Sequence, residues 1–312
     1  MSRTFDQPKQ DGPAPTKIFV CSSPRSGSWM LCRYLINAGL GLPAEYFSGH
    51  NLLTLAERFG IENIEAAGWR TKGRVRRWVA RQMGGDPRGD LVTTYARELV
   101  ARRTVSGVFA AKLHFSHYAA FLDRPPGWAL LSGGVFVHLY REKLLDQAVS
   151  WRFSEQTGCW GFNDEEQTPP MAEVNLFDFD EIRRKIKRLA HEDAGWRAFF
   201  ATHGIAPIRV AYEDLVRKPS DVVTQIARRA GLDPATLDFS YSETEEAPQS
   251  FFKLPSKREV MGKFVEHSAR LKAQAADTLR LLESSELGAA SPGTSRSSPG
   301  TGVTAERIAR SA

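Results

Sequence analysis

Cysteine is scarce in this chain. The three present, Cys21, Cys32 and Cys159, are scattered, and no two form a C-x-x-C pair, so neither a disulfide framework nor a structural zinc site is expected. A reducing compartment fits that usage. Long apolar runs are missing too: no stretch reaches the roughly 20 residues a helix needs to cross a bilayer. Residues 1–16, with Asp6, Lys9, Asp11 and several prolines, resemble neither a secretory leader nor an anchor. A cytoplasmic protein without a transmembrane segment is the expectation. Charge of one sign is not in large excess. With 42 Lys plus Arg against 36 Asp plus Glu the net charge is +6, which suits an anionic ligand but is modest for a dedicated nucleic-acid binder, and no nucleic-acid partner is expected. No repeat at solenoid or propeller period is visible. The G-x-x-x-x-G-K-[ST] loop of nucleotide triphosphatases is absent as well. Gone with it are the lysine that reaches the terminal phosphates and the hydroxyl that holds magnesium.

What the chain does have is a hydrophobic content of 42%, enough to bury a sizeable core. Its patterning alternates. A first strand is expected to begin at Lys17, and others at Gly107–Phe115, Gly134–Tyr140 and Ile208–Tyr212. Between them, helices are expected at Ser26–Asn37, Asn51–Gly60, Arg70–Gln82, Asp90–Arg103 with Asp90 as a cap, and Asp180–Thr202. Strands alternating with helices predict an α/β fold with a central, mostly parallel sheet covered on both faces, which binds ligands at the carboxyl ends of its strands. The expected organisation is a flexible segment over 1–16, one domain over 17–283, and a disordered Ser/Gly/Pro-rich tail over 284–312.

The first strand leads into Ser22-Ser-Pro-Arg-Ser-Gly-Ser28 and at once into a helix. Such a turn is an anion cradle: the first main-chain N–H groups of a helix have no intrahelical partner, and the aligned peptide dipoles place about half a positive charge there. Arg25 adds a full charge with planar donors, so Arg25, Ser26, Gly27 and Ser28 suit a phosphate or phosphosulfate. At the end of the third strand Arg141 leads into a helix carrying Ser150, a pair able to grip a second phosphate.

Taken together, Phe19–Met30, Pro43-Ala-Glu-Tyr-Phe47, Ala111-Lys-Leu-His-Phe115, Arg141–Trp160 and Gly195-Trp-Arg-Ala-Phe-Phe200 resemble, in order over roughly residues 17–270, the bacterial sulfotransferases typified by mycobacterial trehalose 2-sulfotransferase. The resemblance implies a P-loop-like three-layer sulfotransferase fold. It implies transfer of a sulfuryl group from 3′-phosphoadenosine-5′-phosphosulfate (PAPS) to a hydroxyl of a carbohydrate, glycolipid or glycosylated small molecule, without a metal, in a homodimer. By the same resemblance the Arg25–Ser28 turn holds the 5′-phosphosulfate, while Arg141 and Ser150 hold the 3′-phosphate.

The acceptor hydroxyl must lose its proton, so a base is needed within hydrogen-bond reach. Glu45 falls where the trehalose-sulfating relatives place their proposed catalytic glutamate. His114 competes, because Lys112-Leu-His114 resembles the Lys-x-His of cytosolic sulfotransferases and a histidine titrates near neutrality. Lys112 is expected to donate to the bridging oxygen or the sulfuryl group. His117 invites a metal reading beside His114, but the sequence offers no third ligand.

Two positions depart from the family pattern. Trp29 stands where related turns carry Thr or Ser, and Leu42 stands where the trehalose-sulfating relatives have a second acid, which puts trehalose itself in doubt as acceptor. The basic stretch Arg70–Arg81, with Trp69 and Trp78, reads either as a solvated helix face or as a surface for an anionic or amphiphilic acceptor. Trp160 is a candidate wall of the acceptor pocket. Two other readings remain: a nucleotide-kinase-like phosphotransferase, and a catalytically inactive anion-binding module of the same fold.

Overall fold

Strict alternation along β1 (Thr16–Ser22) determines the architecture. Phe19 and Cys21 enter one buried cluster while Ile18 and Val20 enter another, because successive side chains of a strand point to opposite faces. β3 (Val108–His114) repeats the division, with Phe109, Ala111 and Leu113 on the first face and Val108 and Ala110 on the second. A sheet buried on both faces needs a helical layer on each. The computed structural model supplies it, and describes residues 6–9, 15–62, 87–158, 160, 177–239 and 255–288.

The sheet has five strands in the order β2-β3-β1-β4-β5, with β2 (Thr104–Val105), β4 (Val135–Tyr140) and β5 (Ile208–Ala211) joining β1 and β3. All pairings are parallel except the short β2–β3 ladder. This is the expected α/β fold with a mostly parallel sheet. The chain leaves β1 for β3 on one side, then crosses to β4 on the other, so β1 lies at the switch point where open sheets of this kind form their ligand crevice. Ser22 pairs with both His114 and Leu139, and Tyr140 pairs with Ala211. The turn after β1, His114, Arg141 and Tyr212 therefore share one rim.

On the first face pack α2 (Gly49–Arg58), α3 (Pro87–Arg103) and α6 (Phe179–Thr202), through Leu52, Leu55, Leu99, Trp196, Phe199 and Phe200. On the second lie α1 (Ser28–Asn37) and α8 (Pro219–Arg229). A third cluster joins α5 (Leu144–Thr157) to α6 and to Val260 near the start of α9 (Pro255–Gly288). Short helices α4 (Pro125–Leu131) and α7 (Tyr212–Arg217) complete the layers. Contacts divide the chain into a unit over Met1–Phe264, which carries the sheet and all three clusters, and a second over Val265–Ala312, of which the described part is helical.

The start of one helix differs from the sequence reading. Helix α3 begins at Pro87, so Asp90 lies within it and does not cap it. Asp6–Lys9, within the segment expected to be flexible, is anchored: Asp6 pairs with Arg58 at 3.0 Å and with the fully buried Arg103 at 2.5 Å, and Lys9 pairs with Glu98 at 2.9 Å. Arg103 is a buried cation, and an acid must come to it whatever the local composition of the segment that supplies one. Helix α9 continues to Gly288, past the start assigned to the tail at 284, while 289–312 lie outside the described residues. The basic stretch Arg70–Arg81, with the helix expected there, also lies outside them. Cys21 and Cys32 are buried and free, and burial pushes the Cys32 thiol up to about 12, so it is no nucleophile.

Candidate functional site

Two groups of charged side chains stand on the rim, one at the end of β3 and one at the end of β4. The first is organised around Glu45. The loop after α1 turns at Gly41 with φ of 86°, and there a Cβ would come within 2.9 Å of Ala110 Cβ, so only glycine permits this approach to β3. From there the loop runs beside the strand, where Lys112 N donates to Ala44 O at 2.9 Å. Tyr46 and Phe47 are fully buried, Tyr95 Oη donates to Tyr46 O at 2.7 Å, and Asn51 Nδ2 donates to Glu45 O at 3.1 Å. Two anchored aromatics thus hold the glutamate over the strand end.

Lys112 Nζ lies 2.6 Å from Glu45 Oε1, and His114 Nε2 lies 3.7 Å from the same oxygen. Burial opposes ionisation of Glu45, but the combined pull of Lys112, His114 and His117 prevails and holds its carboxyl at about 2. Burial pushes His114 down to about 3 against the pull of Glu45, and burial likewise takes His117 to about 4. At neutral pH the glutamate is therefore an anion and both imidazoles are neutral. His114 Nε2 is buried with no hydrogen-bond partner among the described residues. Glu45 stands beside His114 and His117: one nitrogen or oxygen atom from each of the three lies within 4.8 Å of the others.

The second group surrounds the turn after β1. Gly27 takes φ of 86° and precedes α1, and a Cβ on it would come within 2.5 Å of Tyr212 Cδ2. Arg25 also has a positive φ, 62°, a conformation that non-glycine residues seldom adopt and that ligand-clamping turns often do. Its side chain reaches α5, with Nε donating to Ser150 Oγ at 3.2 Å and a terminal nitrogen to Trp160 O at 2.7 Å. Arg141 pairs with Asp146 and stacks over Tyr212 at 4.4 Å, the same ring that abuts Gly27. Buried oxygens Ser22 Oγ and Ser26 Oγ, together with Arg141 Nε, have no partner among the described residues. These atoms fit an anion along this part of the rim. Ser28 begins α1 and is buried, and Trp29 lies beneath the Arg33 guanidinium at 4.7 Å.

The structure thus gathers Arg25, Ser26, Gly27, Ser28, Arg141 and Ser150 on one rim, and joins Glu45, Lys112 and His114 beside it. Trp160 is 50% exposed, with its carbonyl on Arg25. Several participants had no role assigned in the sequence reading, although Gln147 and Trp196 lie in stretches that resemble the family. Gln147 Nε2 donates to Ser23 Oγ at 2.9 Å and to Pro24 O at 2.6 Å, clamping the turn. Trp196 Nε1 donates to Ser22 O at 3.0 Å from the far side. Lys257, only 3% exposed, is pushed down to about 7, first by burial and also by Arg25 and Arg141 against the pull of Asp146. Its sequence signal was a lone lysine at a helix start.

Comparison with known proteins places the chain in a family. The Stf0 sulphotransferase family model matches residues 17–249, more than half of the chain. A trehalose 2-sulfotransferase of Mycobacterium tuberculosis (strain ATCC 35801 / TMC 107 / Erdman) is 30% identical over 146 residues, 42% of this chain and 54% of that protein, so the chain spans about half of that relative's length. A trehalose 2-sulfotransferase of Mycolicibacterium smegmatis (strain ATCC 700084 / mc(2)155) is 28% identical over 240 residues, 70% of this chain and 86% of that protein. Among solved structures, a sulfotransferase domain from the curacin biosynthetic pathway has a TM-score of 0.40 at 20% identity, covering 71% of this chain and 76% of that one. A sulfotransferase from Mycobacterium avium has a TM-score of 0.42 at 14% identity, covering 76% and 70%. By the extent of the family match, the chain belongs to the Stf0 sulfotransferase family.

Proposed function

We propose that this chain transfers a sulfuryl group from PAPS to a hydroxyl of a carbohydrate, glycolipid or glycosylated small molecule, releasing adenosine 3′,5′-bisphosphate. One observation carries the reading: Arg25 of the turn after β1 touches Ser150 of the helix after β4, and both Arg25 and Arg141 act on the buried Lys257, so groups from two strand ends meet on one rim. A donor that carries anionic groups on both the 3′ and the 5′ carbon of its ribose needs such a rim. The names of the curated relatives support a sugar-type acceptor.

The donor supplies a sulfuryl group already activated by its bond to phosphate, so the chain must position, stabilise charge and move one proton. Arg141, Ser150 and Lys257 would hold the 3′-phosphate. The N–H groups of the Ser26–Ser28 turn, with Arg25, would hold the phosphosulfate and offset charge gathering on the departing phosphate. Lys112 would take a share of that charge from the β3 side.

Glu45 would accept the hydroxyl proton at a carboxylate oxygen. A carboxylate held at about 2 is a weak base, so it orients the hydroxyl first and takes the proton only after the forming S–O bond has acidified it. A second reading, His114 as the proton acceptor, is favoured by its buried Nε2 standing 3.7 Å from Glu45.

The test is an incubation with labelled PAPS and a panel of sugars and glycolipids. A sulfate ester and adenosine 3′,5′-bisphosphate are the expected products. Turnover of ATP with magnesium but none of PAPS would favour a phosphotransferase, and tight bisphosphate binding without any sulfated product would favour a binding module.

A further inference from the structure

We infer that Glu45, His114 and His117 form a site for a zinc-class divalent cation, and that its occupation switches off the transfer proposed above. The cation-binding half rests on geometry alone, and the inhibitory half rests on that proposed function.

His114 ends β3 and His117 follows within one turn, so local structure puts both rings on the rim. The main-chain N–H of His114 donates to His117 Nδ1 at 3.4 Å, and the rings stack with centroids 4.9 Å apart, which fixes both orientations. The loop anchored by Tyr46 and Phe47 then brings in the carboxylate. Four-coordinate zinc with bonds of about 2.0–2.2 Å keeps its ligand atoms roughly 3.4 Å apart. Glu45 Oε1 and His114 Nε2, at 3.7 Å, already stand close to that spacing. All three ligand atoms lie within 4.8 Å, so the set closes around an ion by side-chain shifts of about 1 Å.

Two imidazoles and one carboxylate favour zinc or cobalt over magnesium or calcium, and three protein ligands leave a position open. The unpartnered, buried His114 Nε2 is a ready donor.

Lys112 decides the consequence. Its ammonium lies 2.6 Å from Glu45 Oε1, where a divalent ion would stand in its place. The ion and the Lys112–Glu45 pair are therefore alternatives. The ion engages both candidate proton acceptors and deprives Lys112 of its counter-ion. His117 touches neither donor nor acceptor in the proposed transfer, so it separates metal binding from chemistry.

The experiment titrates cobalt(II) and zinc into chelator-stripped full-length protein, reading cobalt ligand-field absorption and zinc calorimetry, then measures sulfation at each zinc level. Wild type should bind one equivalent, with ligand-field bands of a low-coordinate site. Affinity should fall at least about tenfold in Glu45→Gln and in His117→Asn, since losing even an outer partner of a ligand costs that much. Asn keeps an acceptor for the His114 N–H, and His117→Ala is the companion if Asn still coordinates. Zinc should inhibit wild type at concentrations that leave His117→Asn active. Absence of cobalt bands, or binding indifferent to Glu45 and His117, overturns the site. Binding without loss of sulfation overturns the inhibition alone. Should PAPS yield no product at any zinc level, the proposed function fails while the cobalt result still stands.

Discussion

The two ends of the rim are built on opposite electrostatic plans. At the end of β3, Lys112 and Glu45 balance each other and the neighbouring imidazoles are neutral, so the cluster carries little net charge while holding groups that exchange protons. At the end of β4, Arg25, Arg141 and Lys257 cluster with Asp146, and among these four groups the cations outnumber the acid. A balanced cluster suits moving a proton, and an unbalanced one suits holding an anion. Burial pushes the Lys257 ammonium toward neutrality, with Arg25 and Arg141 adding to it against the pull of Asp146, and an arriving phosphate would offset that.

The sharpest way to break the comparison is to alter each end separately. Glu45→Gln should lower kcat by about 10²–10⁴-fold, the usual worth of a general base, while adenosine 3′,5′-bisphosphate affinity stays within about twofold. If Glu45→Gln keeps full activity and His114→Ala loses it, the proton goes to the histidine.

Next in size is the scaffold between the two ends. Trp196→Ala removes a 1%-exposed side chain and its bond to Ser22 O, and should cost about 3–5 kcal/mol of unfolding free energy in a denaturant titration. Trp196→Phe should recover most of the packing but leave Ser22 O without its donor.

At the cationic end, Arg141→Met should weaken bisphosphate binding by about 10–100-fold, in line with the loss of a charge-assisted bond worth ~1.5–3 kcal/mol. Turnover at saturating donor should change far less.

The smallest effect is a proton. Lys257 falls from 10.5 to about 7 in the folded chain, so between those values the unfolded state holds more protons than the native one, and this residue makes stability rise with pH across that window. Bisphosphate binding near pH 8 should then take up protons, seen as a calorimetric heat that depends on buffer ionisation enthalpy. Lys257→Met should abolish that dependence.

Much of the fold was legible in the sequence because period-two and helical patterns are local. The four long strands and helices α1, α2, α3 and α6 fell within a few residues of expectation. The turn after β1 was legible for the same reason, since the turn and its helix are contiguous. The Lys112–Glu45 pair was not: it depends on Gly41 letting a loop run against β3, a contact between segments far apart in sequence. Gln147, Trp196 and Tyr212 each reach the turn across the sheet rim, and although the first two lie in stretches that resemble the family, no local pattern tells what they touch. Asp6 escaped notice because a short polar segment reads as loose unless its buried partner, Arg103, is known. Two-residue β2 is too short to carry a periodic signal.

The division of labour along the rim assigns anion binding to Arg141 and proton transfer to Glu45. Calorimetric titration of adenosine 3′,5′-bisphosphate into wild type, Arg141→Met and Glu45→Gln measures it directly. Weakened binding in Arg141→Met beside unchanged binding in Glu45→Gln is the predicted result. Equal loss in both, or undiminished binding in Arg141→Met, would contradict it.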